Sequence, residues 1–249
     1  MLEIKDLTIQ YGDKPPVVEN FSLSLKKGEI ITIVGESGSG KSTVLSSILG
    51  LLPNGGKIIS GDIIYNGESM LSKSLNQWRE LRGTEITMIS QDSGGTLNPI
   101  RKIGKQFVEY IQTHSKMSAK EAEEKAKDMF SKVNLPDPEI IMKSYPHQLS
   151  GGMKQRVGIA MALTFHPKII LADEPTSALD VITQAQIVKE IMELRKAFDT
   201  SIIMVTHNLG VAAYISDKII VMQNGKIVDA GDKNVIINNP KSDYTKKLL

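Results

Sequence analysis

Cysteine is missing altogether from this chain of 249 residues. Its absence excludes disulfides, cysteine nucleophiles, iron–sulfur clusters and thiolate zinc sites, and fits a reducing compartment. A surplus of either charge is missing too, since 30 Lys and Arg face 28 Asp and Glu for a formal charge of +2. That balance argues against a nucleic-acid coat or an acidic-substrate trap, while leaving room for a local basic patch. Long apolar runs are also lacking. The most apolar stretches, such as Gly158–Phe165 and Ile169–Ala172, fall far short of the roughly 18 residues a spanning helix needs. The opening residues from Met1 to Asp6 show no basic stretch followed by an apolar one, so no signal peptide is expected. Work at a membrane would require another protein to hold this one there.

What is present reads as an ordinary globular composition, 41% hydrophobic and 23% charged. The length suits one domain with room for an inserted subdomain and a sizeable core. Leu2, Ile4, Leu7 and Ile9 alternate loosely with polar residues, and Phe21, Leu23 and Leu25 do so strictly, predicting strands. Gly12-Asp13-Lys14-Pro15-Pro16 separates them as a turn. Glu29–Val34 predicts a buried strand, and a helix is expected from Lys41 to about Leu52. Further strands are expected at Ser60–Gly67, closed by the turn dipeptide Asn66-Gly67, and at Glu85–Ser90.

The texture between Ser93 and Gln148 is helical. There Ser118 and Glu121 form a capping box ahead of Ala122, Ala126, Met129 and Phe130 on one helical face. Beyond Gly151 a helix (Gly152–Phe165), a strand (Lys168–Ala172), a helix (Val181–Phe198) and a strand (Ser201–Thr206) alternate. Leu209–Ile215, Lys218–Gln223 and a last short helix follow. Such alternation predicts a parallel α/β sheet, with the helical middle as an insertion.

Three segments carry chemistry. Gly35-Glu36-Ser37-Gly38-Ser39-Gly40-Lys41-Ser42 fits G-x-x-x-x-G-K-[ST] between a predicted strand and a predicted helix. Glycines let backbone N–H groups turn inward around phosphate, and the helix start adds positive potential. Lys41 supplies a point charge for the β- and γ-phosphates, and the Ser42 hydroxyl can ligate Mg²⁺. A chance match in a chain of this length has odds of about one in a hundred, so nucleotide binding is the safe inference.

The second segment is Ile169-Ile170-Leu171-Ala172-Asp173-Glu174, an apolar strand that delivers two carboxylates at its C-terminal end. Asp173 can hold Mg²⁺ through water, and Glu174 can act as general base toward the attacking water. Alternation puts the two side chains on opposite faces unless the chain turns, and Pro175 supports a turn. Taken alone, two acids at a strand end are as readily solvated surface; beside the phosphate loop the catalytic reading prevails.

The third is Leu149-Ser150-Gly151-Gly152-Met153-Lys154-Gln155-Arg156. Alone it is an N-cap with a flexible lead-in. With the other two segments it resembles the signature of ABC-type ATPases, and the resemblance spans essentially the whole chain. It implies an α/β P-loop NTPase (RecA-like) mixed sheet with an N-terminal antiparallel β subdomain and an inserted α-helical subdomain. Residues 1–249 would form one domain, with the core at about 1–92 and 156–249 and the helical subdomain at about 93–155.

The resemblance also assigns roles. Tyr11 looks like the aromatic that stacks on adenine, although a core Tyr serves equally for that position alone. Gly35, Ser37, Gly38, Gly40, Lys41, Ser42 and Thr43 would bind ATP, with Ser42, Gln91 and Asp173 holding Mg²⁺. Gln91 also matches the glutamine that senses the membrane partner, and His207 matches the histidine that bonds the γ-phosphate. Glu174, His207, Gln91 and Lys41 form the implied catalytic set. Ser177-Ala178-Leu179-Asp180 resembles the loop that crosses the dimer interface. Two such ATPases pair head to tail, so Ser150, Gly151 and Gly152 of one close on the ATP held by the other. His114, His147 and His166 are expected to be surface or packing residues.

Narrower features look like the peptide and nickel importer branch. They are Tyr145-Pro146-His147-Gln148, Thr96-Leu97-Asn98-Pro99, Asp180-Val181 with Gln184–Ile187, and the tail with Asn239-Pro240 and Asp243-Tyr244-Thr245. Asn208 stands where that branch usually has Asp, Ser93-Gly94-Gly95 replaces a Pro-containing stretch, and Ser242 sits where His is usual. The early end and the lack of cysteines resemble the short importers of nickel or of metal on an opine-like chelator. The implied partners are two transmembrane permeases, a second identical or similar ATPase and, through the permeases, an extracellular binding protein, all at the cytoplasmic face of the membrane. No nucleic-acid partner is expected. A repair or chromosome-maintenance head would insert long coiled coils or zinc cysteines, and a translation factor would need two cassettes; one phosphate loop and a short insertion argue against both.

Overall fold

The computed structural model describes residues 1–92, 94–177 and 179–249. In chain order the elements begin β1 (Leu2–Tyr11), β2 (Val18–Leu25), β3 (Ile30–Val34), α1 (Lys41–Ile48), β4 (Gly56–Tyr65), β5 (Glu68–Ser69) and α2 (Leu75–Leu81). Next come β6 (Ile86–Ile89), α3 (Ile103–His114), α4 (Ala119–Lys132), α5 (Pro138–Lys143), α6 (Gly151–Leu163), β7 (Ile169–Asp173) and α7 (Val181–Phe198). The chain finishes with β8 (Ser201–Thr206), α8 (Leu209–Ile215), β9 (Lys218–Gln223), β10 (Lys226–Asp232), α9 (Lys233–Asn238) and α10 (Asp243–Leu248). Two compact units emerge, Met1–Arg79 with Asp199–Leu249, and Glu80–Phe198.

In the first unit an antiparallel sheet runs β2-β1-β4-β5. The loose alternation of β1 has a local cause: Asp6 adopts φ 45°, and the pairing register shifts between Ile4 and Leu7. Such a bulge bends the strand while returning Leu7 and Ile9 to the core. Opposite it, Gly61 at φ 85° lies so close that a Cβ would sit 2.4 Å from the Lys5 carbonyl oxygen. A second set of strands in this unit runs β10-β9-β3-β8, with β3 parallel to both β8 and β9 and β10 antiparallel. Every residue of β3 is buried, as its uninterrupted apolar run requires.

The second unit pairs β6 with β7 in parallel, Ile86 beside Ile169 through Ile89 beside Ala172. In the same unit α6 packs on β6, while α3, α4 and α5 pack on one another, with the Phe107 and Phe130 rings of α3 and α4 5.2 Å apart. The Ser118–Glu121 capping box is formed in both directions at the start of α4. Gly104 lets α3 approach α5, since a Cβ there would lie 2.6 Å from the Met142 carbonyl oxygen.

Several boundaries differ from the sequence reading. The first helix ends at Ile48 rather than near Leu52, because Gly50 turns left-handed (φ 61°) and the Trp78 ring fills the space a Cβ would need. β4 begins at Gly56, four residues before the expected Ser60, because Lys57 and Ile58 extend the pairing to Gln10 and Ile9. α2, β5, β10 and α9 were not expected as separate elements. Asn224-Gly225, at φ 48° and 79°, is the tight hairpin that turns β9 into β10. Among the described residues no helix is long and apolar enough to cross a membrane.

Candidate functional site

The phosphate loop lies in the first unit, between β3 and α1. Gly35 has φ 156° and abuts Met222, whose carbonyl oxygen would be 2.2 Å from an added Cβ. Gly40, at φ 96°, is the N-cap of α1 and presses on the Val17 carbonyl, 2.8 Å from where a Cβ would stand. The Gly225 N–H of the β9–β10 hairpin donates to the Ser39 carbonyl at 3.2 Å, bracing the loop from outside. Lys41 is buried, and its ammonium donates to the carbonyls of Gly35 (2.8 Å) and Glu36 (2.7 Å). No acidic residue occupies the first turn of α1, so its positive end is not neutralised there. Ser37, Gly38 and Ser42 are exposed, and Thr43 is half-buried.

Tyr11 closes β1 half-buried, with its ring against Gly56, where a Cβ would lie 2.5 Å from the Tyr11 ring edge. His207 follows β8 and is exposed. Beside it Asn208 caps α8 by accepting the Val211 N–H at 3.2 Å. Asn and Asp are equivalent at an N-cap, so the departure from Asp leaves this turn intact.

The second unit contains the carboxylates and the signature segment. Asp173 ends β7, and Glu174 takes φ 43° before the buried Pro175 and Thr176. A left-handed non-glycine residue costs about 1 kcal/mol and persists only where its surroundings hold it. It supplies the turn that strict alternation lacked, so the two carboxylates need not face opposite sides. The Glu174 carbonyl accepts from the Ser177 N–H at 3.2 Å and from the Ser177 hydroxyl at 3.1 Å. Asp180 accepts the Thr183 N–H (3.0 Å) and hydroxyl (2.7 Å), bonds that hold its carboxyl below the ordinary value. Of the expected interface loop, Ala178 lies outside the described residues, as does Ser93 of the stretch after Gln91.

Ser150 caps α6, accepting the Met153 N–H at 3.3 Å. Gly151 is exposed and Gly152 half-buried. Packing favours glycine at the second of these positions, where a Cβ on Gly152 would come 2.9 Å from the Thr183 side chain, whereas a Cβ on Gly151 would meet only ordinary contact. Gln91 is exposed just after β6, at a cavity of about 110 Å³ that Gly151, Lys154, Gln155 and Pro175 also line. The Gln155 amide nitrogen is buried beside it with no hydrogen-bond partner among the described residues. Behind the signature, Arg156 forms a two-pronged ion pair with Glu190 at 2.7 and 3.1 Å, tying α6 to α7. Sequence reasoning gave Gln155 and Arg156 no role, because nothing local marks a pairing across 34 residues.

The other histidines pack against rings. His114 meets Tyr110 edge-on at 5.0 Å and Phe165 at 5.7 Å, and burial holds its pKa below the ordinary value. The neighbouring Tyr110 hydroxyl donates to the Gly83 carbonyl, and burial pushes its pKa up to about 12. His147 stacks on Tyr145 at 5.6 Å, and His166 lies 4.8 Å from Phe198.

This donor set suits a nucleotide. The loop offers glycine backbone, at Gly35 and Gly40 where a Cβ would not fit, around the buried Lys41 ammonium. No group of His, Cys, Asp or Glu among the described residues forms a metal cage by itself. Ser42 exposes a hydroxyl in the first unit, and Gln91 and Asp173 carry an amide and a carboxylate in the second, oxygen donors of the kind Mg²⁺ takes.

Comparison with known proteins agrees. The family model described as "ABC transporter" matches residues 18–177. The oligopeptide transport ATP-binding protein OppD of Bacillus subtilis (strain 168) is 44% identical over all of this chain and 71% of its own length. The metal-staphylopine import system ATP-binding protein CntD of Staphylococcus aureus (strain NCTC 8325 / PS 47) is 41% identical over all of this chain and 92% of its own. The dipeptide transport ATP-binding protein DppD of Escherichia coli (strain K12) is 40% identical over all of this chain and 77% of its own. Among solved structures, a dimeric ATP-binding cassette in a post-hydrolysis state bound to ADP and Pi superposes with TM-score 0.81 at 29% identity, over 94% of this chain and 99% of that one. CbiO1 from Clostridium perfringens, part of an ABC transporter complex, gives TM-score 0.81 at 26% identity over 96% and 91%.

The chain belongs to the ABC transporter family, as an ATP-binding ATPase subunit with the cassette fold that its sequence resembled. Within the family its likeness is to the peptide and opine-metal importer branch, at 40 to 44% identity along its full length.

Proposed function

We propose that this ATPase drives uptake of short peptides, or of nickel or another metal on a small chelator, through partner permeases. The observation that carries the reading is the pairing, in one chain, of a glycine-shaped loop around buried Lys41 with Glu174 on a left-handed turn after β7. The importer names of relatives that match the whole chain support the cargo class. The whole of 1–249 acts as one ATPase domain, with its helical subdomain at about 93–155.

In this reading the N–H groups of Gly35, Ser37, Gly38 and Gly40 hold phosphate oxygens, with Ser42 and Thr43 at the start of α1. Lys41 exchanges its carbonyl contacts for the β- and γ-phosphates, and Tyr11 stacks on adenine. Ser42, Gln91 and Asp173 would hold Mg²⁺, which would neutralise charge on the phosphates. Glu174 takes a proton from the attacking water, and His207 bonds the γ-phosphate. The water oxygen bonds to phosphorus as the bond to ADP breaks. Ser150, Gly151 and Gly152 meet the γ-phosphate held by a second cassette, so ATP joins the pair and its hydrolysis releases them. Two permeases, that second cassette and an extracellular binding protein complete the machine, with this subunit at the cytoplasmic face. No nucleic acid takes part.

Purification of the tagged chain from detergent-solubilised membranes tests this assignment. Recovery of two permeases and a second cassette is expected; recovery of DNA or ribosomes in their place overturns it.

A further inference from the structure

The tail motif Asp243-Tyr244-Thr245 has no part in the chemistry above, yet it reaches the phosphate loop. The buried Asp229 carboxylate on β10 accepts the backbone N–H groups of Lys241 (2.9 Å) and Ser242 (3.0 Å), fixing where α10 begins. Ser242 caps the helix by accepting the Tyr244 N–H at 3.1 Å. A serine suffices there, although relatives of this branch were expected to carry His. The Tyr244 ring packs on an apolar cluster that includes Val34, Val221 and Ile236. Val34 is the last residue of β3, immediately before the loop.

The Tyr244 phenol oxygen accepts the Glu36 N–H at 3.0 Å, across 208 residues of sequence. The carbonyl of that same residue accepts the Lys41 ammonium at 2.7 Å. Glu36 is therefore held at both ends, by the tail and by the phosphate-loop lysine. Its neighbour Gly35, and Gly38 two positions on, adopt glycine conformations, so the intervening peptides have little intrinsic preference to keep them in place. An outside brace lowers the ordering that phosphate binding would otherwise require.

We infer that Tyr244 is a positioning residue for nucleotide binding, and that α10 is a strut between β10 and the phosphate loop. This rests on the loop being the ATP site. Tyr244→Phe keeps the ring in its apolar seat and removes only the oxygen. Titration calorimetry of Mg-ATP onto the full chain should show affinity weakened about threefold to tenfold, the range for one lost hydrogen bond. The unfolding midpoint without nucleotide should fall by no more than about 3 °C, the effect of one hydrogen bond lost while the ring packing is kept. Hydrogen exchange at the Glu36 amide should accelerate. Wild-type chain that binds ATP together with unchanged affinity in Tyr244→Phe overturns the strut alone. A midpoint that falls well beyond about 3 °C along with affinity overturns it as well, by making Tyr244 a general stability residue. Wild-type chain that fails to bind ATP overturns the site reading itself.

Discussion

The phosphate loop and the signature segment are both glycine-rich starts of helices, yet they are built differently. In the loop, glycine is demanded by backbone: Gly35 and Gly40 press on the carbonyls of Met222 and Val17, and Lys41 is buried and held by the loop's own carbonyls. In the signature, Gly151 is exposed and has only ordinary contact with Leu179, while Gly152 meets the side chain of Thr183. One is a finished cradle closed by its own chain. The other is a helix start closed by a side chain, with Ser150 accepting the Met153 N–H while Gly151 stays exposed.

That contrast can be broken by substitution. The largest effect is expected from Ser150→Arg, which places bulk and charge on that helix start. Turnover of the assembled transporter should fall at least about a hundredfold for sites that use this signature, the scale of losing one preorganised set of donors. This chain's own ATP affinity should stay within about twofold, since no direct contact is touched. Loss of that affinity, measured by equilibrium binding, would show that the two glycine segments are not independent.

Within the loop, Gly35→Ala and Gly38→Ala divide clash from strain. The first drives a Cβ to 2.2 Å from a backbone oxygen, while the second meets open space at φ 82°. Gly35→Ala should abolish ATP binding and destabilise the fold by about 3 kcal/mol, whereas Gly38→Ala should cost about 1 kcal/mol. Chemical denaturation with and without ATP measures both. Equal costs would mean that the loop yields, and that its shape is not set by Met222. Tyr244→Phe is the smallest of these perturbations, because it removes a single acceptor from outside the loop.

Much of this was legible because the informative signals are local. The loop motif, the buried run of β3, the Ser118–Glu121 box and the acids after Ala172 each depend on neighbours a few residues apart. Tyr244 on Glu36, Arg156 on Glu190 and the Asp6 bulge opposite Gly61 depend on residues far apart in sequence, and no periodicity encodes them. The tail motif was visible as a pattern, but the hydrogen bond that gives it a physical role was not. β10 was legible too, since Asn224-Gly225 is a dipeptide that closes hairpins, although it was not among the expected elements. The end of α1 is set by the left-handed turn of Gly50, a glycine stop signal present in the sequence that the expected boundary near Leu52 passed over.

The central claim is that the glycine loop binds ATP while Glu174, on its left-handed turn, promotes hydrolysis. Its most direct test is the assembled transporter carrying Glu174→Gln, with bound labelled ATP and released phosphate counted on the same sample. Retained ATP on this chain, with turnover at its site reduced by about a hundredfold or more, is the result expected for removal of a general base. Full turnover at that site, or loss of bound ATP along with turnover, would contradict the claim.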